Sequence, residues 1–446
     1  MNFYFPNLPK NGSDNEALLK SAIHQHANGD LDDARMSYGL MLEVEPQNLI
    51  ADHLSGVLEY QEGRLENAYR LFSSACSINP DYPESLFYRG IVLAATHRQE
   101  AAVADFDKVL SLKPDHAEAL FNKGLALVDL DDMSNAQEAF EKAISARPGY
   151  VKALFNLGNV LKSRKKLDDA LVAYSNALSF DANYCEALIN RGNTLLALGL
   201  TAEAISNYEH VVSINPDCGE ATHMISALKG QNTDKIPLAY VEKLFDSYAP
   251  TFENDLLKNL HYKVPEVIGR IVGDQLSNVK MFSVVDLGCG TGLVGFEIRR
   301  FCEWLVGVDI SKLMLLEADK KAVYNKLESY DIFDFLSHAT LDFDCFIAAD
   351  VFIYLGELSN IFYLIKTRNS RPGRFIFSIE KSNCDRFLLE QSGRYSHSQI
   401  YIESLCKEFD FRISFYLDIE VRKERKQSVA GALYVLEFCP DPTANF

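Results

Sequence analysis

The sequence predicts two architectures in one chain of 446 residues: an all-α solenoid of helix pairs, then an α/β domain on an open, mostly parallel sheet. Three observations predict this. Proline recurs on a 34-residue grid through the first half. A strand near residue 285 runs into an acid and an alternating glycine turn, and a second apolar strand ends in the carboxylate of Asp309. Two apolar runs then close the chain.

The grid runs through Pro46, Pro80, Pro114, Pro148 and Pro216, with Ala182 at the position that lacks proline. Past the grid points stand Gly56, Gly90, Gly124, Gly158 and Gly192, with Ala22 in the first place. A second small position gives Ala34, Ala68, Ala102, Ala136, Ala170 and Ala204. One helical turn further lie Tyr38, Phe72, Phe106, Phe140, Tyr174 and Tyr208. The physics is that of a helix pair. Small residues let two helices cross closely, the aromatic fills the space beside the crossing, and proline is excluded from the helix interior. The pattern resembles the tetratricopeptide repeat (TPR), whose period it shares. Six repeats over residues 15–218, with a capping helix at 220–229, are expected to stack into a superhelix, because one repeat alone cannot bury its apolar face. The repeat domain is thus set at 15–229.

In TPR proteins the first helix of each pair lines the inner face. Asn122, Asn156 and Asn190 recur at one position of that helix, and Asn159 and Asn193 recur one turn later. A primary amide offers a donor and an acceptor, as a peptide backbone does. These five amides are the candidate partner-binding residues, and the resemblance implies a protein or peptide partner in the groove. The net charge of −18, most of it in the first half, would attract a basic partner, and solvated acid of this kind also serves solubility alone. It disfavours duplex nucleic acid, whose binding rests on Lys and Arg contacts to phosphate. Nine cysteines without C-x-x-C or zinc spacing read as reduced thiols, so no metal is expected. Met1–Lys10 has no leader character, and no apolar run approaches the roughly 18 residues of a membrane span. A cytoplasmic chain without membrane association is expected.

Residues 230–236 are polar and read as a linker, which sets the second domain at 237–446. Pro237 opens a helix through Ala249. Val284-Val285-Asp286-Leu287 ends a strand, and Gly288-Cys289-Gly290-Thr291-Gly292 turns into a helix from Leu293. Glycine there lets backbone N–H groups approach a nucleotide-like ligand with no Cβ in the way. Gly290 to Gly295 also satisfies a dinucleotide fingerprint. Trp304–Asp309 is the next strand, and its terminal carboxylate suits the ribose hydroxyls of NAD or S-adenosylmethionine (SAM) equally. Leu327–Tyr330, Phe343–Ala349 and Phe375–Glu380 continue the sheet. Open α/β sheets bind ligands at the carboxyl ends of their strands, so Ala349, Asp350 and Tyr354 are expected at the site. Helices are expected at 357–367 and 396–409. Phe411–Val421 and Ala430–Phe438 then form a hairpin across the basic loop 422–428.

Asp286 ahead of the glycines and the terminal hairpin point away from a nicotinamide fold. The string Asp286–Gly292 resembles motif I of the class I SAM-dependent methyltransferases, and residues 237–438 are similar to that family in motif order. The resemblance implies a Rossmann-like domain whose seven-stranded sheet carries an antiparallel terminal strand. It also implies SAM as cofactor and methyl transfer as the reaction. The implied cofactor site comprises Gly288, Gly290, Gly292, Asp309, Ile310 and Met314. Asp286 would lie near the methionine amino group, Asp331 and Ile332 beside adenine, and Tyr248 near the methyl group, on a helix folded over the cofactor. The block Gly393-Arg394-Tyr395-Ser396-His397-Ser398 is similar to one in a bacterial group that joins TPRs to a methyltransferase. His397 and Tyr354 are therefore candidate bases, and Tyr248 is the third catalytic candidate. No Asn/Asp-Pro-Pro-Tyr string or Pro-Cys motif occurs, which disfavours amino methylation of adenine or glutamine and cytosine C5 chemistry. Two rivals stand beside this reading. One is a TPR adaptor whose second domain binds SAM weakly or not at all. The other is an NAD-dependent oxidoreductase.

Overall fold

Each repeat folds as the predicted helix pair. The pairs are α1 (Asp14–Asn28) with α2 (Leu31–Val44), α3 (Leu49–Gln61) with α4 (Leu65–Ile78), and α5 (Pro83–Ala95) with α6 (Gln99–Leu112). They continue as α7 (Ala117–Asp129) with α8 (Met133–Ala146), α9 (Val151–Ser163) with α10 (Leu167–Phe180), and α11 (Cys185–Ala197) with α12 (Thr201–Ile214), followed by α13 (Gly219–Leu228). The computed structural model describes residues 14–249, 252–254, 256–257, 262–275, 281–338, 341–424 and 427–440, so the reading of Met1–Lys10 lies outside the described residues.

The packing follows from the small and aromatic positions. A Cβ on Gly56, Gly90, Gly124 or Gly158 would stand 2.5 to 2.7 Å from a ring carbon of Phe72, Phe106, Phe140 or Tyr174 respectively. Those rings are fully buried. Each grid proline sits just past the end of the second helix. Helix α10 nonetheless ends in register at Phe180, with the Asp181 N–H bonded to the Ala177 carbonyl, although Ala182 stands where proline is usual. The pair geometry, not proline, therefore stops the helix there.

The chain divides into two compact units, Met1–Asn207 and Tyr208–Phe446. The sequence reading puts the boundary at 230–236, whereas these units divide within α12. The second unit contains α13, α14 (Leu238–Tyr248), the single turn α15 (Phe252–Asn254) and α16 (Val264–Gln275). Then come β1 (Met281–Leu287), α17 (Leu293–Ile298), β2 (Cys302–Asp309), α18 (Lys312–Asp319), β3 (Lys326–Ser329), α19 (Ile332–His338) and β4 (Cys345–Ala348). The rest is α20 (Ser359–Arg368), β5 (Gly373–Glu380), β6 (Phe387–Leu389), β7 (Tyr395–His397), α21 (Gln399–Glu408), β8 (Arg412–Glu424) and β9 (Gln427–Phe438).

Among the described residues, seven strands form one sheet in the order β3-β2-β1-β4-β5-β9-β8. β1 pairs in parallel with β2 on one side and β4 on the other, and β9 runs antiparallel to β5. The fold is an open, mostly parallel sheet with an antiparallel strand inserted near one edge, as the sequence predicts. Side chains alternate across it. Leu287, Val308, Phe346 and Phe375 face one core, while Val284, Leu305, Ile347 and Ile376 face the other with Ile268 and Ile298. Both faces are covered, which is why these strands read as continuous apolar runs. Among the described residues no helix is long and apolar enough to cross a membrane.

Three local expectations are corrected. The basic loop 422–428 is mostly strand: β8 runs to Glu424 and β9 starts at Gln427, leaving residues 425–426, which lie outside the described residues. The helix expected from Ser396 starts at Gln399. Ser398 caps it, its Oγ accepting from the Tyr401 N–H, and residues 395–397 pair with β6 instead. The polar segment 230–236 is not a loose hinge. The Asn232 side chain donates to the Phe387 carbonyl at 3.0 Å and accepts from the Leu389 N–H at 2.8 Å, which fastens it to β6 like an added strand residue. The Asp234 carbonyl takes the Gly356 and Glu357 N–H groups, and the Ile236 N–H donates to the Tyr354 carbonyl.

Candidate functional site

The site is built where β1 ends. Gly288, Gly290 and Gly292 all adopt positive φ, at +68°, +53° and +87°. At Gly288 a Cβ would also stand 2.5 Å from Val351, so glycine alone fits the turn. The Gly288 and Cys289 N–H groups both donate to the Val308 carbonyl, at 2.8 and 3.0 Å, which pins the turn to β2.

Asp309, at the end of β2, is locked by backbone donors. Its Oδ2 accepts from the Gly290 N–H at 2.8 Å and its Oδ1 from the Ser311 N–H at 2.9 Å. Burial pushes its carboxyl up to about 6 against the pull of those bonds. Asp286 lies deeper. Its Oδ2 accepts from the Tyr324 hydroxyl at 2.7 Å, while Oδ1 is buried without a hydrogen-bond partner. Burial raises this carboxyl to about 7, with Asp309 adding to the rise and Tyr324 opposing it.

A cleft of about 1230 Å³, counting the space open to solvent at its mouth, runs along the carboxyl edge of the sheet. Of the residues singled out from sequence, Gly288, Gly290, Asp309, Ile310, Asp331, Ile332, Ala349, Asp350 and Tyr354 all line it. Asp331 is also the cap of α19, its Oδ1 accepting from the Phe333 N–H at 2.9 Å. Asp350 takes φ +59°, uncommon for a non-glycine residue, and its N–H donates to Ser378 Oγ at 2.8 Å.

Five expected residues are not in the lining. Gly292 forms the start of α17, and its missing Cβ clears Tyr324. Asp286 sits beneath the turn. Met314 is fully buried in the core, its N–H donating to the Ser311 cap. Tyr248 is 47% exposed, and Phe245, one turn earlier on α14, faces the cleft in its place. His397 is a correction of substance. It is fully buried, donates through Nε2 to the Gly356 carbonyl at 3.0 Å, and burial pushes its pKa down to about 4. A neutral, enclosed imidazole away from the cleft lining cannot take a substrate proton.

Sequence reasoning missed Arg422. The sequence places it in a loop, yet it is 3% exposed and lines the cleft. It reaches Asp350 at 3.4 Å and makes a close ion pair with Glu380. A register shift between Glu420 and Arg422 precedes its place on the strand, and such bulges re-aim side chains. Phe245, Leu256 and Tyr262, also missed, wall the cleft with apolar surface together with Phe252.

Among the five amides of the repeats, Asn122 and Asn156 each donate to the carbonyl one turn back, Glu118 and Lys152, at 2.8 Å. Asn190 donates to Asn159 Oδ1 at 2.8 Å, and the Tyr174 hydroxyl donates to the same oxygen at 2.8 Å. That pair links neighbouring repeats. Asn193 is half-buried on α11.

Family models match both parts of the chain. Residues 278–412 match the family model described as a methyltransferase domain. Residues 158–199 match a TPR repeat model, and 117–150 and 186–218 match a tetratricopeptide repeat model. No curated protein matches the chain. Among solved structures, a tetratricopeptide repeat protein from Parabacteroides merdae is similar at 23% identity and TM-score 0.42, over 52% of this chain and 89% of its own. MamA from Desulfovibrio magneticus is similar at 23% identity and TM-score 0.37, over 38% and 96%. YrrB, described as a TPR protein with an unusual peptide-binding site, is similar at 20% identity and TM-score 0.38, over 42% and 96%. The chain joins tetratricopeptide repeats to a methyltransferase domain.

Proposed function

We propose that the second unit binds SAM and transfers its methyl group to an acceptor, while the TPR unit holds a protein or peptide partner. The observation that carries this reading is the meeting of the Gly288–Gly290 turn and the Asp309 carboxylate in one cleft, at the strand where the sheet order reverses. Each Asp309 oxygen takes one backbone N–H and keeps a lone pair for a vicinal ribose hydroxyl. In the lining, Thr291 Oγ1 is buried without a hydrogen-bond partner and leaves unmet polar capacity at the turn, with the Asp286 carboxyl beneath it. A cationic amino group suits that position, and the amino acid end of SAM carries one. The antiparallel β9 favours this cofactor over NAD.

When bound, SAM supplies a methyl group already activated as a sulfonium. The chain's own residues then orient and enclose. Asp309 fixes the ribose, and Asp331 and Ile332 bracket the base. Phe245, Phe252 and Tyr354 keep water from the reacting end. In the repeats, Asn122 and Asn156 each retain an amide oxygen and an N–H to offer a peptide backbone, which supports the partner reading.

Calorimetric titration with S-adenosylhomocysteine, with NAD as control, tests the cofactor. Asp309→Ala should weaken binding by about 1.5–3 kcal/mol, roughly ten- to a hundredfold. An unchanged affinity in the variant overturns the ribose assignment. Binding of NAD instead of S-adenosylhomocysteine overturns the reaction class.

A further inference from the structure

Helix α14 turns one apolar face to the cleft. Leu238, Val241 and Phe245 recur at helical spacing and line it. No residue of the helix itself is buried, so its seat depends on more than core packing. Asp246, beside Phe245, supplies a polar fastening: its Oδ1 accepts from the Ser311 hydroxyl at 2.6 Å. Asp246 stands in the last turn of α14, where a negative charge opposes the helix dipole. The helix alone gains nothing from an acid there, whereas the bond to Ser311 does.

Ser311 is fully buried and already serves two neighbours. Its Oγ accepts from the Met314 N–H at 3.1 Å as the cap of α18, and its N–H donates to Asp309 Oδ1 at 2.9 Å. A hydroxyl has one proton to give, and Asp246 receives it. Ser311 therefore gives its hydroxyl to one carboxylate and its N–H to the other. Burial raises the Asp309 carboxyl, and the charge of Asp246 adds to the rise. The single turn α15 repeats the construction. Glu253 makes a close ion pair with Lys321, and Lys321 Nζ donates to the Thr291 carbonyl at 2.8 Å. One relay reaches the loop of Asp309 and the other reaches the glycine turn. A carboxylate that takes two vicinal hydroxyls has to be aimed closely, and hydrogen bonds from outside the site supply that aim.

We propose that Asp246 is a positioning residue for the cofactor ribose: it fixes Ser311, and through the Ser311 N–H it fixes Asp309. This rests on the SAM-dependent reading above. Asp246 is not among the described lining residues, so it acts through Ser311 and not on the cofactor directly. The seating of α14 and the recognition of the ribose are then one event, because both use the same serine. A ligand without the ribose hydroxyls gains nothing from Asp246.

The test is calorimetric titration of the full chain with S-adenosylhomocysteine and with its 2′,3′-dideoxy analogue. It is run on the parent protein, on Asp246→Ala, Asp246→Asn and Asp309→Ala, and on the double variant of Asp246→Ala with Asp309→Ala. Asp246→Ala should weaken S-adenosylhomocysteine about three- to tenfold. Asp246→Asn keeps an oxygen for the Ser311 hydroxyl and should recover most of that loss. The dideoxy analogue should bind the parent and Asp246→Ala within about twofold of each other, and so should S-adenosylhomocysteine once Asp309 is alanine. Alanine suits a helix better than aspartate, so the variants should fold, and urea midpoints read from Trp304 on β2 verify it. A loss that persists undiminished without Asp309, or without the hydroxyls, is a general loosening of the unit and overturns the proposal. So does an Asp246→Ala affinity equal to the parent's, or an Asp246→Asn affinity no better than that of Asp246→Ala. Folded parent protein that binds no S-adenosylhomocysteine sinks the cofactor reading, and the proposal with it.

Discussion

Asp286→Asn isolates the cost of keeping an acid beneath the glycine turn. Asp286 is 1% exposed, and burial holds its carboxyl at about 7 in the folded protein. In the unfolded chain an aspartate titrates near about 4. Between those values the folded state retains a proton that the unfolded chain has released. Stability therefore falls as pH rises through the window, by about 1.4 kcal/mol per unit, and levels off above it. From about pH 5 to pH 8 the loss traceable to Asp286 is on the order of 3 kcal/mol, and Asp309, at about 6, adds on the order of 1 kcal/mol. Asparagine cannot titrate, so of the loss traceable to these two carboxyls the variant should keep only the Asp309 part, roughly a quarter to a third. Trp304, the single tryptophan of the chain, lies on β2 in register with Ser283 of β1, so its fluorescence reports this unit and not the repeats. Urea unfolding is followed by that signal at about pH 5, 6, 7 and 8, without cofactor. Parallel stability curves for the two proteins would refute the assignment of a raised carboxyl at this position.

Two further substitutions test the packing and the cleft wall. Gly124→Ala places a methyl group 2.6 Å from the buried Phe140 ring and should cost about 1–3 kcal/mol in urea unfolding followed by circular dichroism. Adding Phe140→Leu to it should recover part of that cost, and an unchanged midpoint in the single variant rules out the crowding. Arg422→Met leaves Glu380 and Asp350 facing each other's charge without their cation and should cost about 3–5 kcal/mol by Trp304 fluorescence. Adding Glu380→Gln should restore much of it. A parental midpoint for Arg422→Met alone would mean that the ion pairs do not hold that wall.

The repeats were legible because their physics is periodic: one small residue, one aromatic and one proline on a fixed grid specify a helix pair with little help from the rest of the chain. The parallel strands were legible because burial on both faces writes an uninterrupted apolar run, and the glycines and Asp309 because a turn over a ligand needs special backbone freedom and a fixed acceptor. What failed was rotation and register. Tyr248 and Phe245 lie one turn apart on α14, and hydrophobic character does not tell which of two aromatics faces inward. Arg422 reads as loop because charge at a strand end is usually solvated. Only the register shift on β8 and the partners Glu380 and Asp350, distant in sequence, show it buried. His397 looked catalytic because a lone histidine in a recurring block suggests chemistry, but its ring is closed in by Phe387 and Tyr401. The segment 230–236 looked like a hinge because its residues are polar, and an asparagine amide that stands in for backbone leaves no trace in composition.

That last segment bears on how such a chain can be inherited. The Asn232 amide completes the edge of the β6–β7 hairpin, the Ile236 N–H holds the carbonyl of Tyr354, and His223 on α13 grips Gly393. A recombination event that joined two genes just after residue 236 would part all three contacts from their partners at once. The cassette that can move intact between proteins is therefore longer than the sheet and its helices. It has to begin ahead of α13, and a descendant that swapped its repeats for another module would still carry that last helix as a vestige.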